Sequence, residues 1–307
     1  MTVAAIDLGT NTCRLLIADP DGNGGLVERD RRLSFVRLGQ GVDATGEFHP
    51  DALARAEACF REYAEVIAAH PVTATRLVAT SATRDVGNRG ELARIVAETL
   101  GVELDVIPGT DEARLSFTGA LSGVSAPTAP VLVVDSGGGS TELIRGSADG
   151  TIEASTSIDL GSRRIRERFL HDEVPTPEQL AEAQSAIEGA LDTSGVELDD
   201  VATLIGVAGT VTSIAALALG LEAYDRQAVH GSATSREDVH AITRQLTTST
   251  RDEIAALGPV APERAEVLGA GALIVDAITR RVATDVLVAS EADILDGVAL
   301  ELLASHS

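Results

Sequence analysis

Three glycine turns, two of them led by an aspartate, carry the residues in this chain that could do chemistry. At 135–142 the sequence reads Asp-Ser-Gly-Gly-Gly-Ser-Thr-Glu after the apolar run 131–134, so a buried strand ends in an acid and then in a turn of exposed backbone amides. Glycine lets such a turn take positive φ and close its N–H groups on an anion, and phosphate is the anion this geometry suits. Asp135, at the strand end, stands where it can meet a metal. The same order of parts occurs at 7–12, Asp-Leu-Gly-Thr-Asn-Thr, between residues 2–6 and 13–18, each of which reads as a strand. Asp7 is either a second acid of this kind or the residue that closes a turn. The third turn, Gly-Val-Ala-Gly-Thr at 206–210, ends a strand at 203–207 and opens an apolar helix.

Strands and helices alternate around these turns. After a turn signal at 21–25, residues 26–38 can continue the sheet, and 39–46 is a loop. Pro50 opens a helix whose Leu53, Ala56, Phe60, Tyr63 and Ile67 recur at spacings of three and four, and Pro71 stops it. Residues 75–80 and 103–107 read as strands, 91–100 as a helix closed by Gly101, and Pro108-Gly109-Thr110 as the break before a helix holding Glu112. Small residues and proline at 123–130 mark a domain boundary, after which strand, Asp-x-Gly turn and returning strand repeat. A strand at 151–159, a basic helix after Arg163 and Arg164, and a helix from the Thr176-Pro177-Glu178-Gln179 capping signal to about Leu191 follow. A helix at 262–281, a strand at 286–290 and a closing helix at 293–303 complete an α/β chain with an internal duplication.

Composition narrows the partners. The net charge of −23 argues against nucleic acid, whose binding draws on basic groups that displace counterions. All 24 basic residues are arginine, a choice that favours bidentate anion recognition or reflects coding bias. Without tryptophan and with few other aromatics, the cores must be aliphatic. The uncharged run 201–220 has the length of a membrane span, but its central glycines and threonines fit strand, loop and helix better. The N-terminus lacks a basic region followed by a long apolar core, so no signal peptide is read and a cytoplasmic location is expected. Cys13 and Cys59 show no metal spacing and read as reduced, partly buried thiols.

Paired Asp-x-Gly hairpins with a later Gly-x-x-Gly-Thr turn resemble the actin, hexokinase and heat-shock-ATPase superfamily. The likeness is greatest to its exopolyphosphatase and guanosine pentaphosphate phosphohydrolase branch. Besides the three turns, it is carried by Ala-Thr-Ser-Ala-Thr-Arg-Asp at 79–85, Gly-Thr-Asp-Glu-Ala-Arg-Leu at 109–115 and Leu-Gly-Ser-Arg-Arg at 160–164, spanning nearly the whole chain in order. The fold implied is two actin-like (ribonuclease H-like) α/β domains, 1–124 and 125–307, with a duplicated mixed sheet flanked by helices and an interdomain active-site cleft. The C-terminal helix, about 293–307, would pack back on the first domain. The resemblance makes Glu112 the catalytic carboxylate that orients and deprotonates the attacking water, and Arg84 an arginine that reaches the substrate phosphates. It makes Asp135 and Glu142 metal-linked acids, with Asp7 a further ligand through water, and the expected cofactor is Mg²⁺ or Mn²⁺. Gly137, Gly138, Gly139 and Ser140 match one phosphate cradle, Gly9, Thr10, Asn11 and Thr12 the opposing one, and Gly209 and Thr210 the third loop. Implied partners are inorganic polyphosphate, short chains above all, or guanosine pentaphosphate, with no nucleic acid, no membrane and a homodimer.

Elementary chemistry is compatible with these roles. Cleaving a phosphoanhydride needs in-line positioning of water, charge neutralisation and a base within reach. Glu112 falls in the first turn of its helix, where the macrodipole favours the ionised carboxylate; with Thr110 as N-cap its capping-box partner would be Ala113, not Glu112. The plain alternative is a helix-start glutamate. Likewise Arg163, Arg164, Arg166 and Arg168 either line the path of a polyanion or form a solvated face, and a solvated face is the commoner outcome. His230 and His240 lack ligand spacing and read as surface residues. A kinase or a non-catalytic phosphate sensor on the same fold are the readings of a different class.

Overall fold

The computed structural model describes residues 1–22, 25–84 and 86–306. Part of the turn expected at 21–25, and Asp85 at the end of the 79–85 motif, lie outside the described residues. The chain divides into two compact units, Met1–Gly119 with Ile294–Ser307, and Ala120–Asp293.

In the first unit, β1 (Thr2–Leu8) and β2 (Thr12–Pro20) form a hairpin that β3 (Leu26–Phe35) extends. The segment read as a loop holds the short α1 (Val42–Thr45), and α2 (Pro50–Ala68) follows. Then come β4 (Val72–Ala79), α3 (Ser81–Arg84), α4 (Arg89–Leu100), β5 (Leu104–Val106) and α5 (Gly109–Ser122). The sheet order is β3-β2-β1-β4-β5, with β4 and β5 parallel to the central β1. All seven residues of β1 are buried, which is why its stretch 3–6 is apolar throughout instead of alternating. Its Ala4, Ile6 and Leu8 join Leu53, Phe60 and Tyr63 of α2 on one face. On the other, Val3 and Ala5 with Leu16, Ala18 and Val78 meet Leu295, Val298 and Ala299 of the C-terminal helix Ile294–Ser305. That helix is further held by Arg76 and Arg114, both paired with Glu301.

The second unit repeats the plan. The hairpin β6 (Val131–Ser136) and β7 (Thr141–Gly146) is extended by β8 (Ile152–Ile158), and α6 (Ser162–Phe169), α7 (Pro177–Asp192), β9 (Thr203–Val207) and α8 (Ala208–Ala218) follow. A stretch the sequence left unassigned contains α9 (Arg226–Val229), β10 (Ala233–Ser235), α10 (Arg236–Thr248) and α11 (Arg251–Ala255). Beyond a single 3₁₀ turn at Pro262–Arg264 lie α12 (Ala265–Arg281) and β11 (Val286–Ala289). The order β8-β7-β6-β9-β11 matches that of the first unit, with β10 added antiparallel at the β11 edge. Two mixed sheets flanked by helices are therefore present, as the duplication implied.

Several local expectations change. Thr176 caps α7 by accepting from the Gln179 amide, but the Gln179 side chain turns to Asp172, so that capping box is half formed; a complete one is at Thr250 and Glu253. The uncharged run 201–220 is β9 and α8, and among the described residues no helix is long and apolar enough to cross a membrane. Arg163 and Arg164 are buried (4% and 8% exposed), not a solvated face: Glu167 and Glu266 pair with the first and Asp159 with the second. Cys13 and Cys59 are free, buried thiols in hydrogen-bond contact with each other, and burial pushes the Cys13 thiol up.

Candidate functional site

The two hairpin turns are built alike. Gly9 donates its amide to the Thr12 carbonyl at 2.9 Å, and Gly137 donates to Ser140 at 3.0 Å. In the first turn the Thr10 and Asn11 carbonyls accept from the amides of Gly39 (2.8 Å) and Arg37 (2.9 Å). A trans peptide points its C=O and N–H in opposite directions, so the amides of Asn11 and Thr12 face away from residues 37–39. In the second turn the Gly137 and Gly138 carbonyls accept from Ser162 (2.9 Å) and Arg163 (2.8 Å) at the start of α6, which turns the amides of Gly138 and Gly139 outward. Each turn thus presents two backbone donors, the feature a phosphate cradle requires.

Close approach of α6 explains the glycine in Leu160-Gly161-Ser162. A Cβ on Gly161 would lie 2.4 Å from the Gly138 carbonyl carbon, so any side chain there pushes the helix off the turn. Parallel pairing of β9 with β6 sets Val207 beside Asp135 and brings the third turn, Ala208 to Thr210, next to the second. Ala208 takes a left-handed φ of 67°, strained for a residue with a Cβ. Gly271 of α12 lets Thr210 and Ser162 approach the same spot: a Cβ there would stand 2.4 Å from Thr210 Oγ1 and 3.1 Å from the Ser162 Cβ. Arg264 packs its guanidinium against Gly209. Sequence reading missed Gly271 and Arg264, because their roles depend on a helix that returns from some 60 residues away.

The acids differ between the hairpins. Asp135 and Glu142 are direct cross-strand partners, both buried (7% and 1% exposed), with Ser157 Oγ donating to Glu142 at 2.7 Å. Directly opposed residues share a face of the sheet, so two carboxylates converge beside the second cradle. Asp7 is opposed by Arg14, whose Nε and Nη2 both reach its Oδ2 at 3.1 and 2.6 Å. Among the described residues no three His, Cys, Asp or Glu side chains gather as a metal cage. Two hard oxygen ligands still fit Mg²⁺, which keeps several waters and completes its shell with substrate phosphates instead of an all-protein cage.

Glu112 lies in the first turn of α5, buried, with its amide on the Pro108 carbonyl. The helix begins at Gly109, so Thr110 is inside the first turn and is not the N-cap; the Pro108 carbonyl accepts from Asp111 and Glu112. Arg84, at the end of α3, donates from Nη1 to Glu112 Oε2 at 2.6 Å and to the Ile107 carbonyl at 3.2 Å. Pairing of β4 with β1 places α3 beside the first turn, where Thr10 Oγ1 and Ser81 Oγ lie 3.0 Å apart. The first unit therefore gathers Glu112, Arg84 and the 9–12 turn at one end of its strands. The second gathers Asp135, Glu142, the 137–140 turn and Gly209 with Thr210. His230 and His240 are exposed: the first accepts from the Glu291 amide, the second faces Asp276.

Comparison with known proteins agrees with this geometry. The chain is 43% identical to exopolyphosphatase 2 of Mycobacterium tuberculosis over 98% of each sequence. A crystal structure of an exopolyphosphatase-like protein superposes with a TM-score of 0.95 at 41% identity and full coverage of both chains. The Ppx/GppA family member of Aquifex aeolicus gives a TM-score of 0.84 at 28% identity, covering 100% of this chain and 99% of the other. The sequence profile of the Ppx/GppA phosphatase family matches residues 21–306, and the chain belongs to that family.

Proposed function

We propose that the protein is an exopolyphosphatase that hydrolyses the terminal phosphoanhydride of inorganic polyphosphate, with short chains as its main substrate, and releases orthophosphate. The observation that carries this reading is the Glu112–Arg84 pair, a buried carboxylate held 2.6 Å from a guanidinium at the end of the strands that also bears a phosphate cradle. Identity to an exopolyphosphatase over nearly the whole chain favours polyphosphate over guanosine pentaphosphate, the alternative substrate within the family.

In this mechanism the amides of Asn11, Thr12, Gly138 and Gly139 bind phosphate oxygens, and Thr10, Ser140 and Thr210 supply hydroxyls. Glu112 orients the attacking water and accepts its proton; Arg84 holds that carboxylate in place and offers positive charge to the phosphoryl group in flight. Asp135 and Glu142 hold the divalent cation, which when bound offsets the charge developing on the phosphoryl oxygens. A dependence on Mg²⁺ or Mn²⁺ also answers an electrostatic difficulty, since a chain of net charge −23 must admit a polyanion. Phosphate release that persists in excess chelator would remove the metal from this scheme. We include a homodimer and a cytoplasmic location in the proposal; analytical ultracentrifugation and cell fractionation test them.

The deciding experiment is Glu112→Gln, assayed on short and long polyphosphate and on guanosine pentaphosphate. Turnover on polyphosphate should fall by about 10²–10⁴-fold, the scale of a lost general base. An unchanged rate would point to another carboxylate or to a non-catalytic phosphate sensor. Phosphate passed to an acceptor in place of water would point to a kinase.

A further inference from the structure

We propose that Arg37 is a further substrate-binding residue, its guanidinium contacting the phosphate chain beside the first cradle. The inference rests on the polyphosphate reading of the site.

The backbone at Arg37 is in the left-handed region, at φ 49°. Side chains with a Cβ seldom adopt it, and such strain persists only where surrounding contacts over-determine it. Those contacts are present on both sides. The Arg37 amide donates to the Asn11 carbonyl, and the Gly39 amide to that of Thr10. From behind, Arg55 donates to the carbonyls of Val36 (2.8 Å) and Arg37 (3.4 Å). The segment therefore sets the direction of the cradle amides. Glycine or asparagine would do this with less strain, so backbone positioning does not explain an arginine here.

The side chain supplies the missing reason. Among the described residues none hydrogen-bonds or ion-pairs with the Arg37 guanidinium, although the residue is half-buried. The other arginines in that condition, Arg89, Arg244 and Arg251, are exposed to water. A partly desolvated cation without a counter-charge is unfavourable, and in a chain of net charge −23 acidic partners are abundant. Its backbone stands behind the turn whose amides face the phosphate, close enough for a long arginine side chain to reach round to a ligand's negative charge.

The test pairs kinetics with folding. Arg37→Gly, Arg37→Ala and Arg37→Lys are assayed on tripolyphosphate and a longer defined chain. Arg37→Gly and Arg37→Ala should each raise KM about tenfold or more, as loss of a charge-assisted hydrogen bond does, with kcat within about threefold. Arg37→Lys should recover part of that loss. Arg37→Gly, which relieves the strain, should melt no lower than the parent, so weaker binding and retained stability occur in one protein. Calorimetric titration of tripolyphosphate into Glu112→Gln, with and without Arg37→Gly, reads binding apart from turnover and should give the same tenfold difference. Unchanged KM and affinity, or a fall in kcat and melting temperature alone, would overturn the proposal. So would a Glu112→Gln protein that binds no polyphosphate. A parent that binds polyphosphate with this Arg37 dependence yet does not cleave it would overturn the functional reading alone.

Discussion

Across the ladder from its strand-end aspartate, the first hairpin carries Arg14 and the second carries Glu142. The turns between are otherwise equivalent, each closed by a glycine amide on a carbonyl three residues on. Correspondence extends to the neighbouring strands: Asp7 pairs with Val78 and Asp135 with Val207, so Ser81 and Thr210 occupy the same place three residues later. One position in the duplicated framework thus separates a charge-balanced pair from an acid pair. The Asp7–Arg14 pair is satisfied within the protein. Asp135 and Glu142 are buried acids on one face of the sheet, and both would hold a divalent cation there. Duplication supplied two cradles, and divergence at a single cross-strand site gave the second its metal-fitting character.

Converting the second hairpin to the pattern of the first should have the largest effect. Glu142→Arg recreates the pairing of Asp7 with Arg14, so the protein should stay folded while metal-dependent phosphate release falls at least about 10³-fold, measured as orthophosphate at saturating Mg²⁺. Full activity in this variant would erase the distinction between the hairpins. The converse change, Asp7→Asn, removes the negative charge opposite a guanidinium whose side chain is only 16% exposed. It should cost about 3 kcal/mol in urea unfolding, the low end for breaking a buried pair. Glu142→Gln keeps the side chain's shape and an oxygen to accept from Ser157 Oγ, so the protein should stay folded. Millimolar Mg²⁺ should raise the melting temperature of the parent and not of this variant; equal shifts would separate the acid pair from metal binding.

The smallest effect tests the rest of the first unit. Burial pushes the Glu301 carboxyl up, but the hydrogen bond from Arg76 and the charge of Arg114 outweigh it and leave the group below its ordinary value. A lowered folded value means stability that is present above the unfolded pKa of about 4.3 and lost as pH falls through the folded one. With the Glu301 side chain 39% exposed, Glu301→Gln should lower the melting temperature by about 1–3 °C at pH 7, a gap that closes below about pH 4.

Local signals made much of this legible. Apolar strands ending in Asp-x-Gly, a helix opened by Pro50 and one closed by Gly101 depend on neighbours within a turn or two, and each was readable. Between Arg226 and Ala255, α9, β10 and α11 are three to five residues long, too short to establish a period, whereas the longer α10, with Val239, Ile242 and Leu246 on one face, was legible and missed. Burial of Arg163 was hidden for another reason: Glu266, one of its partners, comes from a distant helix. The pairing of Arg84 with Glu112, 28 residues apart, has no local signature either; family resemblance placed both at the site.

The C-terminal helix has a consequence for synthesis. It covers the face of the first sheet formed by Val3, Ala5, Leu16 and Val78, yet a ribosome makes it only after every residue of the second unit. The second unit is one continuous stretch and can finish folding while the first still exposes that face. The half of the protein begun first is therefore completed last, and until Ile294–Ser305 emerges its uncovered sheet is the surface most open to chaperones and to aggregation.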